Sequence, residues 1–291
     1  MKIGLLVTNY NTWEMTSQCI ENCIKYADSP IDQFVVVDDC SNEPFENHFG
    51  EQISLSCNQT NLGLIRSLNK GLEILDTDLV LIFDSDAWPL ENFTNDVKEY
   101  FSNNKEIGIA SFNLLDSEGK PSVSFEAEPS ILSLVLGQKL YAHYQRIFSK
   151  FPKSFTVYTC AMVVRKKVLE EIGSFDENFD WLELDHDICM RATRRGWKIG
   201  IIPTKVFHKG SGTPQKVSHR VVRFYKNRWY LLSKFNKIRF AKSMARVIRW
   251  RLTIEYLVLH VFGSYLFKDK EVINDKLHSR RELLQFFSTS I

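Results

Sequence analysis

Three short apolar runs each end in groups able to do chemistry: Ile3–Val7 in Thr8-Asn9-Tyr10, Phe34–Val37 in Asp38-Asp39, and Leu79–Phe83 in Asp84-Ser85-Asp86. The unbroken apolar run Leu79-Val80-Leu81-Ile82-Phe83 reads as a parallel-sheet strand covered on both faces. The carboxylates of Asp84 and Asp86 therefore emerge at the carboxyl end of a central strand, where open α/β sheets bind ligands. Two clustered carboxylates repel unless a cation or hydrogen-bond donors compensate. Oxygen ligands of this kind suit Mn²⁺ or Mg²⁺, which can bridge substrate phosphates. A carboxylate at Asp38 or Asp39 can accept the imide N–H of a uracil or thymine ring. Together these groups suit a sugar nucleotide held at its base and its diphosphate. By itself Asp84-Ser85-Asp86 also reads as a solvated Asx turn, so the surrounding elements matter.

Those elements alternate. Ile3–Val7 is a strand, residues 12–26 a helix with Trp13, Cys19, Ile20, Cys23 and Ile24 at helical spacing, Phe34–Val37 a strand, and residues 53–55 a third. Residues 64–75 place Ile65, Leu68, Leu72 and Leu75 on one side of a helix; residues 90–101 read as a helix and 107–112 as a strand. Strand–helix alternation with short links predicts βαβ units and a mainly parallel, Rossmann-like sheet flanked by helices. Residues 157–164 read as a strand, Gly173-Ser174-Phe175-Asp176 as a turn, and 188–195 as a helix stopped by Gly196. Between Glu118 and Phe155 no chemistry is assignable; residues 132–140 and 141–148 look helical and could cover an acceptor pocket. No G-x-G-x-x-G follows the first strand and no G-x-x-x-x-G-K-[ST] occurs, which argues against dinucleotide dehydrogenases and P-loop enzymes.

A chain of 291 residues, 44% hydrophobic, can bury a full core as one domain with an appendage. Cys19 and Cys23 have no second close pair to complete a zinc site. The first apolar run is too short for a signal h-region, which predicts a cytosolic location with reduced thiols. The net charge of +2 conceals a segregation: residues 1–187 carry 30 Asp and Glu against 14 Lys and Arg, whereas residues 188–254 carry 18 Lys and Arg and no acid. That pattern predicts either internal neutralisation or a basic segment that meets an anionic partner.

The motifs follow one another in a known order. They are Val35-Val36-Val37-Asp38-Asp39-Cys40-Ser41, the segment from Asn61 through Gly63 and Arg66 to Gly71, Asp84-Ser85-Asp86, and Gly173 to Phe179. After these come Leu182-Glu183-Leu184-Asp185-His186-Asp187 with Gly196-Trp197, and Pro203 through His208 to Gly210-Ser211. Over about residues 1–215 the chain resembles the family 2 glycosyltransferases of the GT-A fold, similar to the rhamnosyl, galactosyl and glucosyl transferases of bacterial polysaccharide synthesis. The resemblance implies a catalytic domain at 1–216, with a nucleotide-sugar half at 1–112 and an acceptor half at 113–216. It implies inverting transfer from a UDP- or dTDP-sugar to a hydroxyl of a glycan or lipid-linked acceptor, assisted by Mn²⁺ or Mg²⁺. Asp86 and Asp84 would hold the metal, with His208 approaching it or the diphosphate. Thr8, Asn9, Tyr10, Asp38, Asp39, Gly63, Arg66 and Ser85 would line the donor site, Arg66 pairing with phosphate. Asp185 would be the general base. The acid that precedes it in the family is Leu184 here, which keeps Glu183 and Asp187 as alternatives.

Residues 217–291 interleave cations and aromatics and form a basic helical segment suited to an anionic membrane surface. Leu252–Phe267 contains Glu255 and His260 and is too short for a comfortable span, so it reads as interfacial or packed on the catalytic domain. The expected place is the inner face of the cytoplasmic membrane, without nucleic acid. Two other functions compete. A sugar-nucleotide nucleotidyltransferase would carry a Gly-rich, Arg-containing loop where Thr8-Asn9-Tyr10-Asn11-Thr12 stands. A non-catalytic sugar-binding module would not need Asp84, Asp86 and Asp185.

Overall fold

Leu79–Phe83 is buried along its whole length, as a strand with layers on both faces must be. In the computed structural model, which describes residues 1–43, 45, 48–148, 155–210 and 217–289, it is the fourth of ten strands. They are β1 (Ile3–Asn9), β2 (Gln33–Asp38), β3 (Ser54–Cys57), β4 (Leu79–Phe83), β5 (Ala87–Pro89), β6 (Ile107–Leu115), β7 (Phe125–Ala127), β8 (Phe155–Val157), β9 (Ala161–Arg165) and β10 (Lys198–His208). The helices are α1 (Trp13–Lys25), α2 (Leu64–Ile74), α3 (Thr94–Asn103), α4 (Leu132–Leu136), α5 (Gln138–Phe148), α6 (Lys166–Ile172), α7 (Leu184–Arg194), α8 (Val217–Lys234), α9 (Ala241–Leu266) and α10 (Lys270–Thr289).

Eight strands form one sheet in the order β3-β2-β1-β4-β9-β6-β10-β5, and β7 and β8 form a separate antiparallel pair. The sheet is mixed. β3, β2, β1 and β4 run parallel, as do β6 and β10; β9 lies antiparallel between β4 and β6, and β5 antiparallel beside β10. The expected strand over 157–164 is two pieces, β8 and β9, which belong to different sheets. The helix expected at 90–101 starts at Thr94, because Ala87–Pro89 is taken up as β5. The helix expected at 188–195 starts earlier, at Leu184. Gly71 lets α2 press onto β1: a Cβ there would stand 2.2 Å from a methyl of Leu6.

The contacts divide the chain into two compact units. The first comprises Met1–Glu128 and the described part of Ser154–Gly212; the second comprises the described parts of Pro129–Lys153 and Thr213–Ile291. Residues 129–148, expected within 1–216, thus group with the C-terminal helices. The reason is polar as well as apolar: Arg251 donates to the Leu134 carbonyl (3.3 Å) and to the Tyr225 hydroxyl (2.6 Å) and pairs with Glu255, which also takes Arg280. Phe287 packs edge-on to Trp229 and Tyr225, and Ser218 and Lys226 bond Asp275 and Glu282. Among the described residues no helix is long and apolar enough to cross a membrane.

Candidate active site

Strand register brings the acids together. β1 and β2 pair so that Asn9 lies opposite Asp38. β4 and β9 pair Phe83 with Ala161, so the Asp84 N–H donates to the Cys160 carbonyl (3.0 Å). A tight turn, closed by the Ala87 N–H on the Asp84 carbonyl (3.0 Å), carries the chain into β5. β5 pairs Ala87 with His208 at the end of β10, and the Lys209 N–H reaches the Asp86 carbonyl (3.0 Å). Ligand atoms of Asp84, Asp86 and His208 consequently lie within 4.8 Å of one another, with His208 Nε2 3.7 Å from Asp86 Oδ1. Burial, then the charges of Asp86 and Asp185, push the Asp84 carboxyl up to about 7. Two carboxylates that repel each other, with an imidazole beside them, fit a divalent cation with oxygen and nitrogen ligands.

Asp185 sits in the first turn of α7. Burial pushes its carboxyl up to about 6, with His186 and its own backbone N–H pulling the other way. α7 is pinned by the residue beside it: His186 Nδ1 is 2.6 Å from the Thr156 hydroxyl on β8, and Nε2 is 3.6 Å from Glu126 Oε2 on β7. Glu126 also accepts from the Tyr158 hydroxyl (3.3 Å). The helix begins after Glu183, which is buried and left-handed at φ 75°. Only a few per cent of non-glycine residues adopt that conformation. Its cost must be borne by the fold around it, a pattern common where a backbone is bent to aim a catalytic group.

Asp187 is a buried structural acid. Its Oδ2 accepts from Arg191 Nε at 2.7 Å, and that guanidinium donates to the carbonyls of Ile172, Gly173 and Ser174. The carboxylate therefore ties α7 to the Gly173 turn and does not cap the helix. Replacing Asp187 by Ala strands a largely buried guanidinium charge, and the expected loss is about 3 kcal/mol of stability. Chemical unfolding measures it; an unchanged midpoint would contradict the role.

Residues 5–173, more than half of the chain, match the family described as Glycosyl transferase family 2. The chain belongs to glycosyl transferase family 2. A curated relative, glucosyl-dolichyl phosphate glucuronosyltransferase of Haloferax volcanii, is 27% identical over 112 residues, or 36% of this chain and 36% of that protein. The matched stretch thus spans about a third of the relative's length. Among solved structures, the mannosyltransferase PcManGT of Pyrobaculum calidifontis, in complex with GDP-Man and Mn²⁺, superposes with a TM-score of 0.56 at 15% identity, over 97% of this chain and 85% of that one. S. aureus TarS 1-349 in complex with UDP-GlcNAc does so with a TM-score of 0.55 at 14% identity, over 99% of this chain and 92% of that one. At such identities the likeness is one of fold, GT-A.

Several residues expected in the family's donor site are hydrogen-bonded to one another and to the loops around them. The Asn9 amide is saturated: Nδ2 donates to Asp38 (2.8 Å) and Ser41 (2.9 Å), and Oδ1 accepts from Thr12 (3.0 Å) and Thr16 (2.6 Å). Asn9 thereby positions Asp38, which also accepts the N–H and hydroxyl of Ser41. Asp39 accepts from the backbone of Leu62 (2.7 Å) and Gly63 (2.8 Å) and from Asn58 (2.9 Å). Asp39 is thus the member of the pair that supports the loop, and Gly63 turns that loop into α2 at φ 86°. Thr8 is half-buried beside Val37, Tyr10 is exposed, and the Ser85 and Thr12 hydroxyls lie 3.1 Å apart. Arg66 Nε lies 3.2 Å from Glu177, which also holds Asn69. Asn69 in turn exchanges hydrogen bonds with the Phe175 backbone, joining α2 to the Gly173–Phe179 motif. Ser211, at the end of the His208 motif, lies outside the described residues. Glu126, Thr156 and Tyr158 belong to no sequence motif; pairing of β7 with β8 brings them to His186.

Proposed function

We propose that the chain is an inverting glycosyltransferase that moves a sugar from a UDP- or dTDP-sugar to a hydroxyl of a glycan or lipid-linked acceptor. The observation that carries this reading is the cluster of Asp84, Asp86 and His208 at the carboxyl end of β4, with the charge of Asp185 close enough to raise Asp84. A Mn²⁺ or Mg²⁺ held by those three side chains would neutralise the charge that develops on the departing diphosphate. The protein's own groups do the rest. Asp38, oriented by Asn9 and Ser41, offers a carboxylate to the base. Asp185 accepts the proton of the attacking hydroxyl, and the new glycosidic bond forms on the face opposite the breaking one. A screen of nucleotide sugars for metal-dependent hydrolysis and thermal stabilisation tests the reading. A ligand at a hundred times its dissociation constant adds about 2.7 kcal/mol, and absence of any such shift would refute it.

A base that titrates at about 6 predicts the shape of the pH profile. The carboxylate must be ionised to accept a proton, so kcat should fall about tenfold per unit below that pH and level off above it. A profile flat down to pH 4 would assign the proton to another group.

The same reading places the chain against an anionic membrane surface that presents the acceptor. Its support is the stretch 188–254, with 18 cations and no acid. Each cation that reaches an anionic surface contributes about 1 kcal/mol, and the attraction weakens as salt shortens the Debye length.

A further inference from the structure

α9 is apolar on two sides. One side, Ala245, Ile248, Leu252, Leu259 and Gly263, is buried; at Gly263 a Cβ would stand 2.8 Å from Ile273 of α10. On the other side Val247, Trp250, Ile254, Leu257, Val261 and Tyr265 recur at steps of three and four, and all are exposed. Trp250 is 70%, Val261 63% and Tyr265 91% exposed. Residues at that spacing stand one above another on a helix, so they form one stripe about 27 Å long. Singly exposed apolar residues need no explanation, but a continuous stripe does.

The charges around the stripe indicate what covers it. Lys242 and Arg246 are exposed at its amino end and Arg249 is half-buried there, while exposed Phe240 lies under the Arg239 guanidinium at 4.9 Å. The one acid of α9, Glu255, is taken by Arg251 and Arg280 within the same unit. The exposed face therefore offers no carboxylate to the cations of a second copy of α9. An anionic lipid surface supplies both missing partners, phosphates for the cations and acyl chains for the stripe. Trp250 and Tyr265, near the two ends, have rings suited to the headgroup boundary.

We propose that this face of α9 is a docking surface for an anionic bilayer, with the helix lying in the plane of the interface. The proposal rests on the membrane reading above and narrows it from a basic segment to one helix face. Flotation of the full chain with phosphatidylcholine vesicles, with and without about one-third phosphatidylglycerol, tests it. At low salt the wild type should float with the anionic vesicles. The exposed-site double variant Leu257→Asp/Val261→Asp should partition more than about tenfold less, with nucleotide-sugar hydrolysis unchanged as the check that it is folded. Lys242→Ala/Arg246→Ala should lose most of the preference for phosphatidylglycerol. Asp86→Ala should float as the wild type does, so that docking and catalysis are read separately. Salt-sensitive flotation that the aspartate pair leaves intact would overturn the α9 assignment and leave the membrane reading standing. No flotation at low salt would overturn both. In that case a dimer in sedimentation, made monomeric by the aspartate pair, would give the face to a second copy.

Discussion

Asp185→Asn is expected to lower kcat by about 10²–10⁴, the usual worth of a general base, or about 2.7–5.4 kcal/mol in the barrier. The amide keeps the shape of the carboxylate, but it turns one acceptor oxygen into an NH2 donor and cannot take a proton at neutral pH. Donor affinity should be retained, because the groups proposed to hold the donor lie on other elements. The low-pH limb of the profile should disappear with the carboxylate whose titration produces it. Loss of donor binding in place of turnover would move Asp185 to the nucleotide site. Glu183→Gln is the matched control. Glu183 is the left-handed residue before α7, and its replacement should leave turnover nearer the wild-type value than Asp185→Asn does. The reverse order would transfer the role of base to Glu183. Replacement of Asp187, tied to Arg191, is expected to lower stability and to leave the pH profile unchanged.

Asp86→Ala is expected to abolish transfer, together with the part of nucleotide binding that depends on the metal. Asp86 is buried and its carboxylate lies 3.7 Å from His208, so its removal leaves one carboxylate and one imidazole of the three proposed ligands. The backbone need not move, since the Lys209 N–H bonds the Asp86 carbonyl and not its side chain. The measurement is a thermal shift with nucleotide alone and with nucleotide plus Mn²⁺. The wild type should show an added shift with the metal, and the variant only the metal-independent part. Removing the charge that helps raise Asp84 should also let that carboxyl titrate lower, visible as a change in the pH dependence of metal-free stability. Unchanged turnover with the metal still required would refute the ligand assignment.

The sequence alone determined whatever depends on neighbours within a few positions. The unbroken apolar run at Leu79–Phe83 read as a strand covered on both faces, and β4 has those bounds. The periodic apolar positions of α1 and α2 specified helices that begin and end within a residue or two of expectation. The placement of Asp84 and Asp86 at a strand end followed directly, and the order of motifs was enough for the family. Tertiary structure decided whatever depends on partners far along the chain. Residues 157–164 have uniform β character, yet the break at Tyr158–Cys160 sends β8 to Glu126 and β9 between β4 and β6. Asp38 and Asp39 are chemically equivalent in sequence; Asp39 took the N–H groups of Leu62 and Gly63 and the Asn58 amide, because a buried carboxylate must be hydrogen-bonded. Arg66 joined Glu177 because α2 and the Gly173–Phe179 motif are brought together through Asn69. Leu252–Phe267 read as either packed or interfacial, and folding made it two-sided, since its neighbours cover only one stripe of the helix. Local periodicity is set by the geometry of a helix or strand, whereas strand order and long-range hydrogen bonds are chosen only when distant segments close on one another, which is why they were legible only in the fold.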